Sequence, residues 1–87
     1  MNTMKVCEEL RDFVTRHFGI PADDPYFSDQ VNLYDFGYID SLGAADLLAF
    51  VEDRFDLRIG ELDWQSHRLN SIVDIAQFVA AKNGSNL

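Results

Sequence analysis

The apolar positions between Thr3 and Phe18 recur at helical spacing, with Val6, Leu10, Phe13, Val14 and Phe18 set among charged residues. This pattern predicts an amphipathic helix, with Thr3 as its N-cap and Gly19 as the left-handed stop at its end. Pro21 and Pro25 forbid continuation, so Ala22 to Gln30 reads as loop. The connection to the next periodic segment is about twenty residues long, a length usually reserved for functional or disordered segments. Val31, Leu33, Tyr34, Phe36 and Ile39 offer it several apolar anchors, and the loop is therefore predicted to be ordered.

A second helix is predicted from near Asp40 to about Phe55. At about 100° per residue, Ala44, Leu47, Leu48, Val51 and Phe55 gather on one face, which is core. Leu42, Ala45, Asp46, Ala49 and Asp53 gather on another, a stripe of small, apolar and acidic residues for solvent or a partner to cover. Phe50 belongs to neither centre; either the long loop covers it or it extends the stripe. Asp40 can cap this helix, and its charge suits the positive end of the helix dipole. Gly60 marks a break, and Leu57 to Ile59 is the one strand-like trace. A short helix over Glu61 to Arg68 would be anchored by Leu62 and Trp64. Ser71-Ile72-Val73-Asp74 has the form of a capping box, with aspartate in the glutamate's place, and opens a last helix. Ile72, Ile75, Ala76 and Val79 give that helix its apolar face, with Phe78 beside it, and Asn83 to Leu87 is expected to fray. Phe13, Phe18, Trp64 and the Tyr34–Phe36 pair are expected in the core. The fold expected is all-α, a small four-helix bundle of three main helices and one short one, in a single domain over residues 1–87.

Composition narrows what such a bundle can do. A chain of 87 residues builds one thin core and is ill suited to enclosing a deep pocket as well. With 47% hydrophobic residues, that core forms without disulfides or metals. The lone Cys7 has no partner within the chain, so an oxidising compartment is not required. No apolar run approaches the length of a membrane span and no leader pattern is visible, which leads to the expectation of a soluble cytoplasmic monomer. Fifteen acidic against seven basic residues give a formal net charge of −8. That field repels nucleic acid and anionic membranes, and draws in basic protein surfaces.

The candidate chemistry centres on Ser41, a lone hydroxyl where the aromatic loop becomes the second helix. A serine nucleophile acting alone needs an oriented base. His17 and His67 carry no neighbouring signature, and Ser41 lacks the G-x-S-x-G elbow. One cysteine and two distant histidines give no zinc spacing, the acidic residues form no calcium loop, and Gly37, Gly43 and Gly60 form no phosphate cradle. No catalytic residue and no metal site are therefore predicted. Ser41 is either a helix cap or a group on which another enzyme acts, and Asp40 already offers the cap.

The stretch "FGYIDSLGAADLLAFVEDRFDLRI" resembles the core motif of the acyl carrier and peptidyl carrier family. Asp-Ser-Leu alone is a common triplet. After "LYDFGYI", before a long amphipathic helix and in an acidic chain of this size, it is specific, and the resemblance covers nearly the whole sequence. It implies that Ser41 receives a 4′-phosphopantetheine arm from coenzyme A through a phosphopantetheinyl transferase, and that the arm's thiol holds cargo as a thioester. It further implies that Asp40, Leu42, Ala45, Asp46, Ala49 and Asp53 face partner enzymes.

Departures from the family pattern bear on cargo. Gly37-Tyr38-Ile39 stands where synthetase-embedded peptidyl carriers usually have two glycines, and Arg54 and Arg58 interrupt the acidic run usual in fatty-acid carriers. The "F-G-x-I-D-S-L-G" form is similar to free-standing carriers of aminoacyl or unusual acyl groups. The start methionine and the lack of linkers fit a discrete protein, with an excised domain as the alternative. The expectation is a free-standing carrier loaded by an adenylate-forming enzyme and serving downstream acyl- or aminoacyl-accepting enzymes, as in nonribosomal peptide and secondary-metabolite synthesis. The alternatives are an acyl carrier of fatty-acid or polyketide synthesis, an unmodified acidic interaction module, and a hydrolase using Ser41.

Overall fold

The computed structural model describes residues 2–60, 62–63 and 69–84. Helix α1 spans Thr3–His17, and its cap is Asn2, whose Oδ1 accepts from the Met4 amide at 2.8 Å. Thr3, expected as the cap, is instead the first helical residue. Asn2 sits in extended geometry with its side-chain oxygen within reach of a free amide, and asparagine caps at least as well as threonine. At the other end Gly19 takes φ 66°, and the Ile20 amide returns to the Thr15 carbonyl at 2.9 Å. This is a Schellman-type closure, sealed by the buried Ile20.

Helix α2 spans Ser41–Phe55, with Asp40 as N-cap and Asp56 in the left-handed region, φ 53°, as C-cap. Helix α3 spans Ile72–Gly84. Ser71 Oγ accepts from the Asp74 amide at 3.1 Å, as the capping-box form predicts. The helix runs through Asn83 and Gly84, past the point where fraying was expected. No strand occurs among the described residues, and Leu57 to Ile59 is irregular. The expected short helix falls largely outside the described residues, as does Trp64. Leu62, named as its anchor, is 77% exposed. Its neighbour Asp63 accepts from the Gly60 amide and pairs with Lys82 of α3.

The core joins the three helices and the loop. Val6, Leu10 and Val14 of α1 meet Leu47, Val51 and Phe55 of α2 and Ile72, Ile75, Ala76 and Val79 of α3, with Leu33 and Ile39 of the loop, all buried. Burying each such aliphatic side chain contributes about 1.5–3 kcal/mol, which is what orders the long loop. Polar stitches hold it as well. Arg11 of α1 grips Asp29 with two nitrogens, at 2.8 and 2.6 Å. The Asp29 carbonyl accepts from Val73, and the Leu33 amide donates to the Asn70 carbonyl, so the loop is tied to the start of α3 too. Leu48, Phe13, Phe18 and Tyr34 are half-buried against the core. Phe36, expected inside, is 59% exposed and stacks on Tyr38. The turn it occupies buries Leu33 and Ile39, and Phe36 lies on its outer side.

Candidate functional site

The approach to Ser41 is a hydrogen-bonded turn. Asn32 Oδ1 accepts from the amides of Tyr34 and Asp35, both at 3.0 Å. Gly37 reverses the chain at φ 74°, a conformation that strains any side chain. The amides of Tyr38 and Ile39 then return to the Leu33 carbonyl. Outside this turn, Tyr38 donates its phenol proton to Asp24 at 3.0 Å, and burial with that carboxylate pushes its pKa up. Asp40 leaves the turn in extended geometry and places Oδ1 2.8 Å from the Gly43 amide.

That bond decides what Ser41 is free to do. The cap position belongs to Asp40, so Ser41 is the first residue of α2, exposed, and its hydroxyl makes no hydrogen bond to any described residue. Its place at the end of a 15-residue helix puts it where free amides and the dipole favour a phosphate anion. An exposed hydroxyl on a rigid helix start, with open solvent around it, fits a phosphodiester-linked arm.

Beyond Ser41 the outer face of α2 is as the periodicity has it. Leu42 is 81% exposed, and Ala45, Asp46, Ala49 and Asp53 are exposed along the same face, while Gly43 and Ala44 are buried. Asp40 is exposed as well. Leu42, Ala45, Asp46, Ala49 and Asp53 therefore form one exposed face of the second helix, with Ser41 and Asp40 exposed at its start. A shallow groove lined by Ala49, Glu52, Asp53, Leu57 and Arg58 continues the face at its far end.

Several neighbours escaped the sequence pattern because they come from α1. Phe50 is covered neither by the loop nor by solvent alone: it stacks on Phe13, with ring centroids 4.0 Å apart. His17 also stacks on Phe13, with ring centroids 4.9 Å apart, and places Nε2 3.2 Å from Asp46 Oδ2. Arg54 pairs with Glu9 of α1. His67 lies outside the described residues. No periodicity could pair residues on two helices; a shared aromatic and charge complement was the only signal.

Residues 8–79 match the family model described as "Phosphopantetheine attachment site", which covers well over half of the chain. Among curated proteins, none matches the sequence. Among the described residues no helix is long and apolar enough to cross a membrane.

Proposed function

The chain belongs to the phosphopantetheine attachment family and is a carrier whose prosthetic group is covalently attached 4′-phosphopantetheine; from that premise we propose that Ser41 is the attachment residue and that the cargo is an aminoacyl or related acyl group. Carrier domains of this kind are typically non-catalytic and work with a phosphopantetheinyl transferase and with partner enzymes.

One observation carries the assignment of Ser41: its hydroxyl is exposed and unengaged because the neighbouring Asp40 caps the helix. Ser41 Oγ attacks the pyrophosphate of coenzyme A, forming the new phosphodiester bond. The bond to adenosine 3′,5′-bisphosphate breaks, and the serine proton passes to a base of the transferase. The bound group supplies a flexible thiol that holds cargo as a thioester and presents it to successive active sites at high effective concentration. The protein's own contribution is placement. The turn from Asn32 to Ile39 and the Asp40 cap fix the helix start, and the stripe of Leu42, Ala45, Asp46, Ala49 and Asp53 meets the partner.

The aminoacyl assignment, and with it an adenylate-forming loading enzyme, is supported by the "F-G-x-I-D-S-L-G" form and by the two arginines, Arg54 and Arg58, in and after α2. Incubation with coenzyme A and a promiscuous transferase should add one phosphopantetheine by intact mass, and Ser41→Ala should abolish the gain. An unchanged wild-type mass would favour the unmodified interaction module. Loading of the modified protein by a panel of adenylating enzymes, against a malonyl transferase, separates the aminoacyl carrier from a carrier of fatty-acid or polyketide synthesis.

A further inference from the structure

Glycine is the poorest helix former after proline, so its presence in the first turn of α2 asks for a reason of space. A Cβ added at Gly43 would lie 2.7 Å from Phe18 Cε1 and 3.1 Å from Ile39 Cγ2. Carbon atoms pack at roughly 3.5–4.0 Å, so both contacts are too close. The nearer contact falls on a half-buried ring and the other on a core side chain, so a methyl group here makes one of them, or the turn itself, give way. The Phe18 ring meets Phe13 edge-on at 6.2 Å and His17 edge-on at 4.8 Å, and Ile39 is buried in the core. The same Gly43 donates its amide to the Asp40 cap. One residue therefore touches the end of α1, the end of the long loop and the cap, and Ser41 lies between that cap and Gly43.

We infer that Gly43 and Phe18 are positioning residues for the modification of Ser41. The ring fills the space left by the missing side chain and so sets where the first turn of α2 lies. The Ser41 hydroxyl is thereby held at a fixed offset from the stripe formed by Leu42, Ala45 and Asp46, which a transferase would grip. This inference rests on the assignment of Ser41 as the attachment residue. A methyl group at Gly43 must push the ring or the turn aside. Docking through the stripe survives that shift, while the alignment of the oxygen with the phosphorus does not.

The test measures transfer kinetics on the full chain with coenzyme A and a promiscuous phosphopantetheinyl transferase, with helicity and thermal midpoint recorded in parallel. A wild-type chain that gains no phosphopantetheine defeats the attachment assignment itself; a wild type that is modified supplies the reference for the positioning pair. Gly43→Ala should lower kcat on the order of tenfold, with KM little changed, as expected of a misplaced reacting atom. Adding Phe18→Leu should bring kcat back to within a few-fold of wild type, because the smaller side chain and the added methyl together refill the same space. An unchanged kcat in Gly43→Ala, or a loss that Phe18→Leu fails to restore, overturns the inference. If Gly43→Ala alone does not fold, the double variant decides: near-native kcat supports the positioning pair, and slow transfer or failure to fold refutes it.

Discussion

Phe13 of α1 and Phe50 of α2 lie face to face, with ring centroids 4.0 Å apart and planes 10° from parallel. The Phe18 and His17 rings surround the first, and Phe55 meets the second edge-on, so one aromatic cluster joins the two helices. Phe13→Leu and Phe50→Leu should each lower stability, and a double-mutant cycle in urea should show a coupling of about 1 kcal/mol between them. Additive losses would mean that the stack contributes no more than its buried area.

The cap and the proposed attachment residue are neighbours in sequence, and their roles separate by measurement. Asp40→Ala should cost about 1 kcal/mol of stability, because the Gly43 amide loses its acceptor. Ser41→Ala should stay within about 0.5 kcal/mol of wild type, as for an exposed surface substitution. Chemical denaturation of both variants checks the pair, and a large loss in Ser41→Ala would assign the cap to the serine.

The three helices were legible from periodicity and punctuation, and the caps at Asp40 and Ser71 from residue type. The core faces of α2 and α3 were legible too, down to Val51 and Val79. What escaped depends on which helix lies beside which. Phe50 sat on neither face because its cover comes from α1. The exposure of Phe36 follows from the turn around Gly37, which chooses Leu33 and Ile39 for the interior. His17 looked inert until the fold set it against Asp46. For the site, the serine and its stripe were readable along one helix, whereas Phe18, which presses on Gly43 from another element, was not.

The Tyr34 phenol oxygen is buried and has no hydrogen-bond partner among the described residues. Tyr34→Phe should therefore be neutral or stabilising by up to about 1 kcal/mol, since an unmade hydrogen bond is removed. Burial raises the Tyr34 pKa, so the folded state holds that proton to higher pH than the unfolded chain does. Stability from this group is intact below the ordinary tyrosine range and is lost as pH rises through and beyond it. Urea midpoints at neutral and alkaline pH should show a shallower alkaline decline in Tyr34→Phe than in wild type.

Cys7 is half-buried, and burial with the nearby Asp29 charge pushes its thiol pKa up, against a smaller opposing effect of Arg11. The thiolate is scarce at neutral pH as a result. Alkylation of Cys7 by iodoacetamide should be slower than that of a free thiol at pH 7 and should accelerate only above the ordinary thiol range. Arg11→Met removes a positive neighbour and should slow it further; fast neutral labelling would contradict the burial.

Leu42 carries 81% of its surface to solvent, so Leu42→Asp should leave the denaturation midpoint nearly unchanged. If the stripe is the docking face, the same variant should raise the KM for phosphopantetheinyl transfer several-fold, read from initial rates. Equal KM values would move the docking face elsewhere.

Two exposed charges of α2 already have companions on α1: Asp46 with His17, and Arg54 with Glu9. An enzyme that reads the outer side of α2 consequently reads a surface written by both helices. Transplanting Ser41–Phe55 alone into a sister carrier would strand those side chains beside foreign neighbours, so if partners read the outer side of α2, the smallest portable element is the helix pair.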